Sequence, residues 1–295
     1  MPVRQRNQVQ AVLRPLATTD ITPEDRAMPQ TVSTTGTSES VQVAEQGLIL
    51  RAIVGSRGVG IATEESDTDY VAVCLLPPDY VYGLEEFSTV EDRGVVRGQR
   101  AVPGSVEGKT YSAQQFCRMT LGGNLGLLIA LYAHPDLVTH LTVEGEWLRE
   151  ARQHFVSKRF GHCALSFVQE KQRTSLRDER RDPHMHRPEL LARYTFDVKF
   201  AANMLRNALQ GLELLRDGQL SVPLSPSHQD YLRAIRAGQV SLADCVTHAA
   251  DLESQLLLAM RRTHLPENGD RQAVNRILIR AYSYHYSGSP SPAII

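Results

Sequence analysis

At 295 residues, 42% of them hydrophobic, the chain can bury a substantial core, which excludes a disulfide-stapled miniprotein and a fully disordered polymer. Its 32 basic and 33 acidic side chains leave a formal net charge of −1, so there is no chain-wide basic field; stable DNA binding is not expected, and only a local basic groove is open to nucleic acid. The 4 cysteines, Cys74, Cys117, Cys163 and Cys245, stand apart with no Cys-x-x-Cys pair, and the chain lacks both a membrane-length apolar run and a signal-peptide core; a cytoplasmic protein with reduced thiols and no membrane partner is expected.

Residues 1–44 are polar, with Thr/Ser clusters around Thr31 to Ser38 and no sustained periodicity, and are expected to form a disordered arm. An apolar run then begins at Leu48, breaks into Gly55-Ser56-Arg57-Gly58-Val59-Gly60, and is followed by a second apolar run from Tyr70 to Leu76. This reads as strand or helix end, glycine turn, then strand. At the start of the second run sits Ser66-Asp67-Thr68-Asp69. Residues i and i+2 of a strand share a face, so Asp67 and Asp69 are expected to project together. Two such carboxylates repel unless solvated or bridged by a cation, and oxygen-only ligands suit Mg²⁺ held with substrate phosphates. Glycines in the preceding turn let backbone N–H groups and Ser56 approach phosphate oxygens. The competing reading is a glycine hairpin followed by exposed turn aspartates.

Leu76-Pro77-Pro78 ends the second run, and Asp79 to Gly104 reads as a loop-rich, mixed-charge insertion that includes Glu91 and Asp92. Ser105 to Tyr111 reads as a short strand leading into a helix from Ser112, which breaks at Gly122-Gly123-Asn124 and resumes over Leu125 to Tyr132. From Trp147 onward the pattern is helical. Arg173, Arg177, Arg180, Arg181, His184, His186 and Arg187 form a basic stretch, either a solvated loop or a contact for an anionic acceptor or triphosphate. The clearest helical signal runs from Leu190 to Arg216, with a leucine stripe and Gly218 as its stop. Ser227-His228-Gln229-Asp230 and Ser241-Leu242-Ala243-Asp244 resemble capping boxes opening later helices.

The pattern Gly55-Ser56, residues 57–66, Asp67-Thr68-Asp69 resembles the signature of the DNA polymerase beta type nucleotidyltransferase superfamily. With Gly60 and Ser66 included, it is similar to a branch of predicted nucleotidyltransferases that contains the RNA-ligase-associated group. A second signature of that branch, Asp-x-Lys followed by His and Arg, is matched by Asp197, Lys199 and Arg206, with Asn203 in place of the His. Leu125 stands where the family has Pro, and Ile129 where it has Glu.

The resemblance implies an α/β (α+β) nucleotidyltransferase domain with a small mixed sheet over residues 45–145, then an all-α helical domain over 146–286 and a flexible tail over 287–295. It implies a transferase that moves a nucleoside monophosphate from an NTP to an acceptor hydroxyl and releases pyrophosphate. Two Mg²⁺ ions would be held by Asp67, Asp69 and Glu107; the last is the position of the family's third carboxylate, which is more often Asp. Gly55, Ser56 and Arg57 would hold the β- and γ-phosphates, with Lys199 and the more distant Arg206 approaching from the helical side. The acceptor would be an RNA or a protein. A protein-modifying AMP or UMP transferase and a catalytically inactive module that binds nucleotide or RNA ends remain as alternatives.

Overall fold

In the computed structural model, residues 34–64, 66–92, 104–174, 190 and 193–288 are described. The side chains of the basic stretch from Arg173 to Arg187, and residues 289–295 of the expected tail, lie outside them.

The first elements are β1 (Thr34–Thr35), α1 (Ser38–Gln46), β2 (Leu48–Ile53), the one-turn α2 (Gly55–Gly58), β3 (Thr68–Cys74), the one-turn α3 (Pro78–Val81), β4 (Val90–Asp92) and β5 (Val106–Ser112). They are followed by α4 (Ala113–Leu121), α5 (Leu125–Tyr132), β6 (Val138–Leu141) and α6 (Val143–Glu150). The strands form one six-stranded sheet in the order β1-β4-β5-β3-β2-β6. It is mixed: β3 and β5 run parallel, while β2 pairs antiparallel with both β3 and β6, and β4 antiparallel with both β5 and β1.

β3 is buried on both faces, which explains its unbroken apolar run. Val71, Val73 and Leu75 enter the main core with Phe116, Leu128 and Phe155, whereas Cys74 and Leu76 pack into a smaller cluster with Val43, Ala44 and Val90. The smaller cluster corrects one expectation. The polar stretch assigned to a disordered arm up to residue 44 includes α1, capped by the Thr37 side chain and seated through Val43 and Ala44. Its apolar residues are few, but they fall on the face that covers the sheet.

The rest is helical, giving the expected α/β sheet followed by helices. After a 3-10 turn at Ala151–Phe155 come α7 (Lys158–Thr174), α8 (Val198–Asp217), α9 (Pro226–Arg236), α10 (Leu242–Arg262) and α11 (Arg271–Tyr286). α8 is central, with α7, α9 and α10 packed around it. Its apolar stripe, including Ala201, Leu205, Leu209, Leu212 and Leu215, is buried; each fully buried leucine is worth about 1.5–3 kcal/mol. The helix starts later than its periodicity suggests, because Thr195 has φ 66° and Asp197 takes the N-cap. It stops at Gly218, φ 66°, as expected. α9 likewise opens at Ser225 with Pro226 in its first turn, not at Ser227, whereas Ser241 does cap α10.

α11 returns to the sheet. The Tyr282 hydroxyl accepts from Leu76 N at 3.3 Å and donates to Gln114 Oε1 at 2.5 Å, and the Tyr286 hydroxyl donates to Leu76 O at 2.6 Å. No helix among the described residues is long and apolar enough to cross a membrane.

Candidate active site

The N-terminal ends of β3 and β5 lie side by side. Thr68 N donates to Ser105 O at 2.8 Å, and the parallel register pairs Asp69 directly with Glu107. Side chains paired in this way leave the sheet on the same face, here the face that carries Val71 and Val73 into the main core. Asp67 lies one residue ahead of β3. The Ser105 hydroxyl stands 3.3 Å from Asp67 Oδ1 and 3.4 Å from Glu107 Oε1, and so sits between their carboxylates.

Asp69 also rests on the glycine turn. Val54 N donates to Asp69 O at 2.8 Å, Gly55 has φ +61°, and a Cβ on Gly55 would lie 1.9 Å from Asp69 Oδ2. Only glycine allows both this backbone conformation and this approach.

The charges respond to this crowding. Burial, and then the Asp67 charge, raise the Asp69 carboxyl above its usual range, and Arg206 opposes them. Burial, then Asp67 and Asp69, raise Glu107, against the Ser105 hydrogen bond. The donor set is three carboxylates, hard oxygen ligands that match Mg²⁺ chemically. As they stand, however, no three acidic, His or Cys side chains among the described residues converge closely enough to hold an ion by themselves.

One guanidinium group, that of Arg206, acts directly on the Asp69 charge. Arg206, on α8, is lowered to about 10 by burial, with the Asp69 charge raising it and Arg236 lowering it. Its Nη2 donates to Asn203 Oδ1 at 2.6 Å, while its Nε is buried without a hydrogen-bond partner. Asn203 thus orients the arginine. Arg57 donates from Nη2 to Ser66 O at 2.7 Å, and its Nε is likewise buried and unpartnered. A buried unpaired donor costs about 1–3 kcal/mol, so both arginines are suited to receiving an anion.

Of the other residues singled out from sequence, Gly55 and Ser56 open α2 beside Asp69. Lys199 is exposed on α8, two turns before Arg206. Asp197 is occupied structurally, its Oδ1 accepting from Phe200 N at 2.9 Å. Ile129 is 1% exposed and belongs to the core. Glu91 is paired with Lys109 across β4 and β5. Sequence reasoning missed Ser105, whose only signal was its place two residues before Glu107, and Arg233 and Arg236 of α9, which carried no signal. Two cavities of about 550 and 360 Å³ lie elsewhere, along the C-terminal half of α8 against α10, and neither is lined by the three acids.

Comparison with curated proteins gave no match. Among solved structures, the chain is similar to a nucleotidyltransferase-like protein from Exiguobacterium sibiricum 255-15, at 12% identity and TM-score 0.26, over 85% of this chain and 77% of that one. The model of the RNA repair pathway DNA polymerase beta family matches residues 30–280, a span that contains Asp67, Asp69, Glu107 and Arg206. This chain therefore belongs to the RNA repair pathway DNA polymerase beta family, within the polymerase beta type nucleotidyltransferases.

Proposed function

We propose that the chain is a Mg²⁺-dependent nucleotidyltransferase that transfers a nucleoside monophosphate from an NTP to a hydroxyl at an RNA end, with release of pyrophosphate. The observation that carries this reading is the pairing of Asp69 with Glu107, beside Asp67 and opposite Arg206. An acidic cluster facing cations around a glycine turn is a suitable receptacle for a metal-bound triphosphate. The RNA repair pathway in the family description is what favours RNA as the acceptor in this reading.

Asp67, Asp69 and Glu107 would hold the metal, whose chemistry is to acidify the acceptor hydroxyl and offset charge on the reacting phosphate. Gly55 and Ser56, which open the turn beside Asp69, would meet phosphate oxygens there. Arg57 and Arg206 offer buried Nε donors to the same phosphates, and Lys199 lies further out as a solvent-side contact. Arg206 also holds Asp69 towards its ionised, metal-competent form. Together these residues would orient the triphosphate towards the acceptor, and placement is most of what phosphoryl transfer needs from a protein.

The test is incubation of the full chain with each α-phosphate-labelled NTP and Mg²⁺, in the presence of total RNA or of cell protein, alongside Asp67→Asn and Asp69→Asn. Label on RNA that vanishes in both variants supports the reading. Label on protein would identify an AMP- or UMP-type protein transferase, and NTP binding without any labelling would identify an inactive binding module.

A further inference from the structure

Helix α9 follows the catalytic strands by more than a hundred residues, yet it grips the segment joining the glycine turn to Asp67. Arg236 donates from Nη1 to Ile61 O at 2.9 Å, and its Nη2 makes a long 3.5 Å contact with Ser66 Oγ. One turn earlier, Arg233 donates from Nη2 to Gly60 O, and the same nitrogen is 2.8 Å from Gln229 Oε1. The Gln229 amide in turn lies flat against Gly60, whose φ is +83° and where a Cβ would fall 2.8 Å from Gln229 Cδ. Just ahead of α9, Leu224 N donates to Val59 O at 3.3 Å.

Ser66, the residue immediately before Asp67, is gripped from the other side as well. It is 6% exposed; its carbonyl accepts from Arg57, and its hydroxyl accepts from Thr63 N at 2.9 Å. Two guanidinium groups, one near the start of the sheet and one on α9, therefore meet at the residue that sets where Asp67 begins. Arg57 keeps a buried Nε without a hydrogen-bond partner, the donor that the proposed function assigns to a phosphate. Arg236 and Arg233 each give one donor to a backbone carbonyl of the segment itself, and Arg233 Nη1 is anchored on its own helix by Asp230 Oδ1 at 3.1 Å, which is the arrangement of a brace.

We infer that Arg236 and Arg233 are positioning residues: docked on residues 59–64 and Ser66, they hold Asp67 in place relative to Asp69 and Glu107, and so make the helical region a working part of the active site. The inference rests on the proposed nucleotidyl-transfer role of Asp67. The two residues act through the segment and do not touch reacting atoms. A small displacement of Asp67 lowers turnover, because a reaction that relies on placement is sensitive to shifts well below the size of a residue.

The test uses the full chain carrying Arg236→Gln, Arg236→Lys, Arg233→Gln, Ser66→Ala, or Arg236→Gln with Ser66→Ala. Two independent readouts are taken: amide hydrogen exchange over residues 59–64, which needs no catalysis, and the separate kcat and KM for Mg²⁺-NTP. Arg236→Gln is expected to speed exchange in that segment alone and to lower kcat about tenfold or more, with KM changed less than about twofold. Arg236→Lys should fall between it and wild type, and Ser66→Ala combined with Arg236→Gln should cost less in kcat than the product of the two single losses. Unchanged exchange over residues 59–64 in both Arg236→Gln and Arg233→Gln would overturn the inference, as would a raised KM with kcat intact, which would make Arg236 a phosphate ligand. If Arg236→Gln does not fold, Arg236→Lys and Arg233→Gln decide by the same criteria. A wild type that labels no acceptor would defeat the proposed function, while the exchange data would still judge the brace.

Discussion

Asp69 and Glu107 are direct partners in the parallel ladder between β3 and β5, so two acids distant in sequence leave the sheet side by side on one face. Asp67 adds a third negative charge, and Ser105 stands between it and Glu107. Burial and mutual repulsion raise both Asp69 and Glu107, so the protein carries these acids at a cost to its own stability. Such a cost is typical of a functional site.

The first prediction follows from the sign of those shifts. A carboxyl raised in the folded state binds its proton more tightly there than in the unfolded chain. Its stabilising contribution is present below the ordinary values of 3.8 for Asp69 and 4.5 for Glu107, and is lost as pH rises through their raised folded values. Metal-free Glu107→Gln and Asp69→Asn should therefore melt at or above the wild-type temperature at neutral pH, and the difference should shrink on acidification through that window. Mg²⁺ with NTP should stabilise wild type and neither variant. Thermal melts against pH, with and without Mg²⁺-NTP, test this; variants that melt well below wild type at neutral pH would contradict it.

Gly55→Ala should be severe. The alanine would have to adopt φ +61°, and its methyl carbon would fall on Asp69 Oδ2. Backbone strain of this kind costs about 1–3 kcal/mol, and displacing Asp69 should lower turnover about 10²-fold. Urea denaturation and single-turnover labelling measure the two effects separately. Near-wild-type values in both would mean that the turn does not constrain the carboxylate.

Arg206, rather than Lys199, should dominate NTP binding from the helical side. Arg206 is the α8 cation whose charge reaches Asp69, whereas Lys199 stands in solvent two turns away. Arg206→Ala is expected to raise KM for Mg²⁺-NTP about tenfold or more and Lys199→Ala only about twofold, in line with the weak pull of exposed charges. Arg206→Lys should recover part of the loss, because an ammonium replaces the charge but not the fork that engages Asn203. A larger effect from Lys199→Ala would reverse the assignment.

Tyr282→Phe supplies a contrast. The buried hydroxyl links Leu76 N to Gln114 Oε1, and removing it leaves both without this partner. The expected loss is about 1–3 kcal/mol in equilibrium unfolding, with KM for NTP unchanged, because α11 braces the far end of β3 from the carboxylates. A changed KM with unchanged stability would indicate that α11 acts on the site directly.

Much of this protein is written in local patterns. The two apolar runs, the glycine turn and Asp67-Thr68-Asp69 are each specified by neighbouring residues, as are Asn124 and Ser241 as caps and Gly218 as a stop. These features depend on period, capping chemistry and backbone freedom, which act within a few residues. The residues of α1 were harder to read, because only the sheet beneath them gives Val43 and Ala44 their meaning. The tertiary structure alone decided that Glu107 pairs with Asp69, that Arg206 rather than Lys199 faces it, and that Ser105, Arg233 and Arg236 belong to the same neighbourhood. Strand register and helix docking are set by how whole apolar faces fit together; a long polar side chain that reaches across such a junction leaves no periodic trace in its own segment.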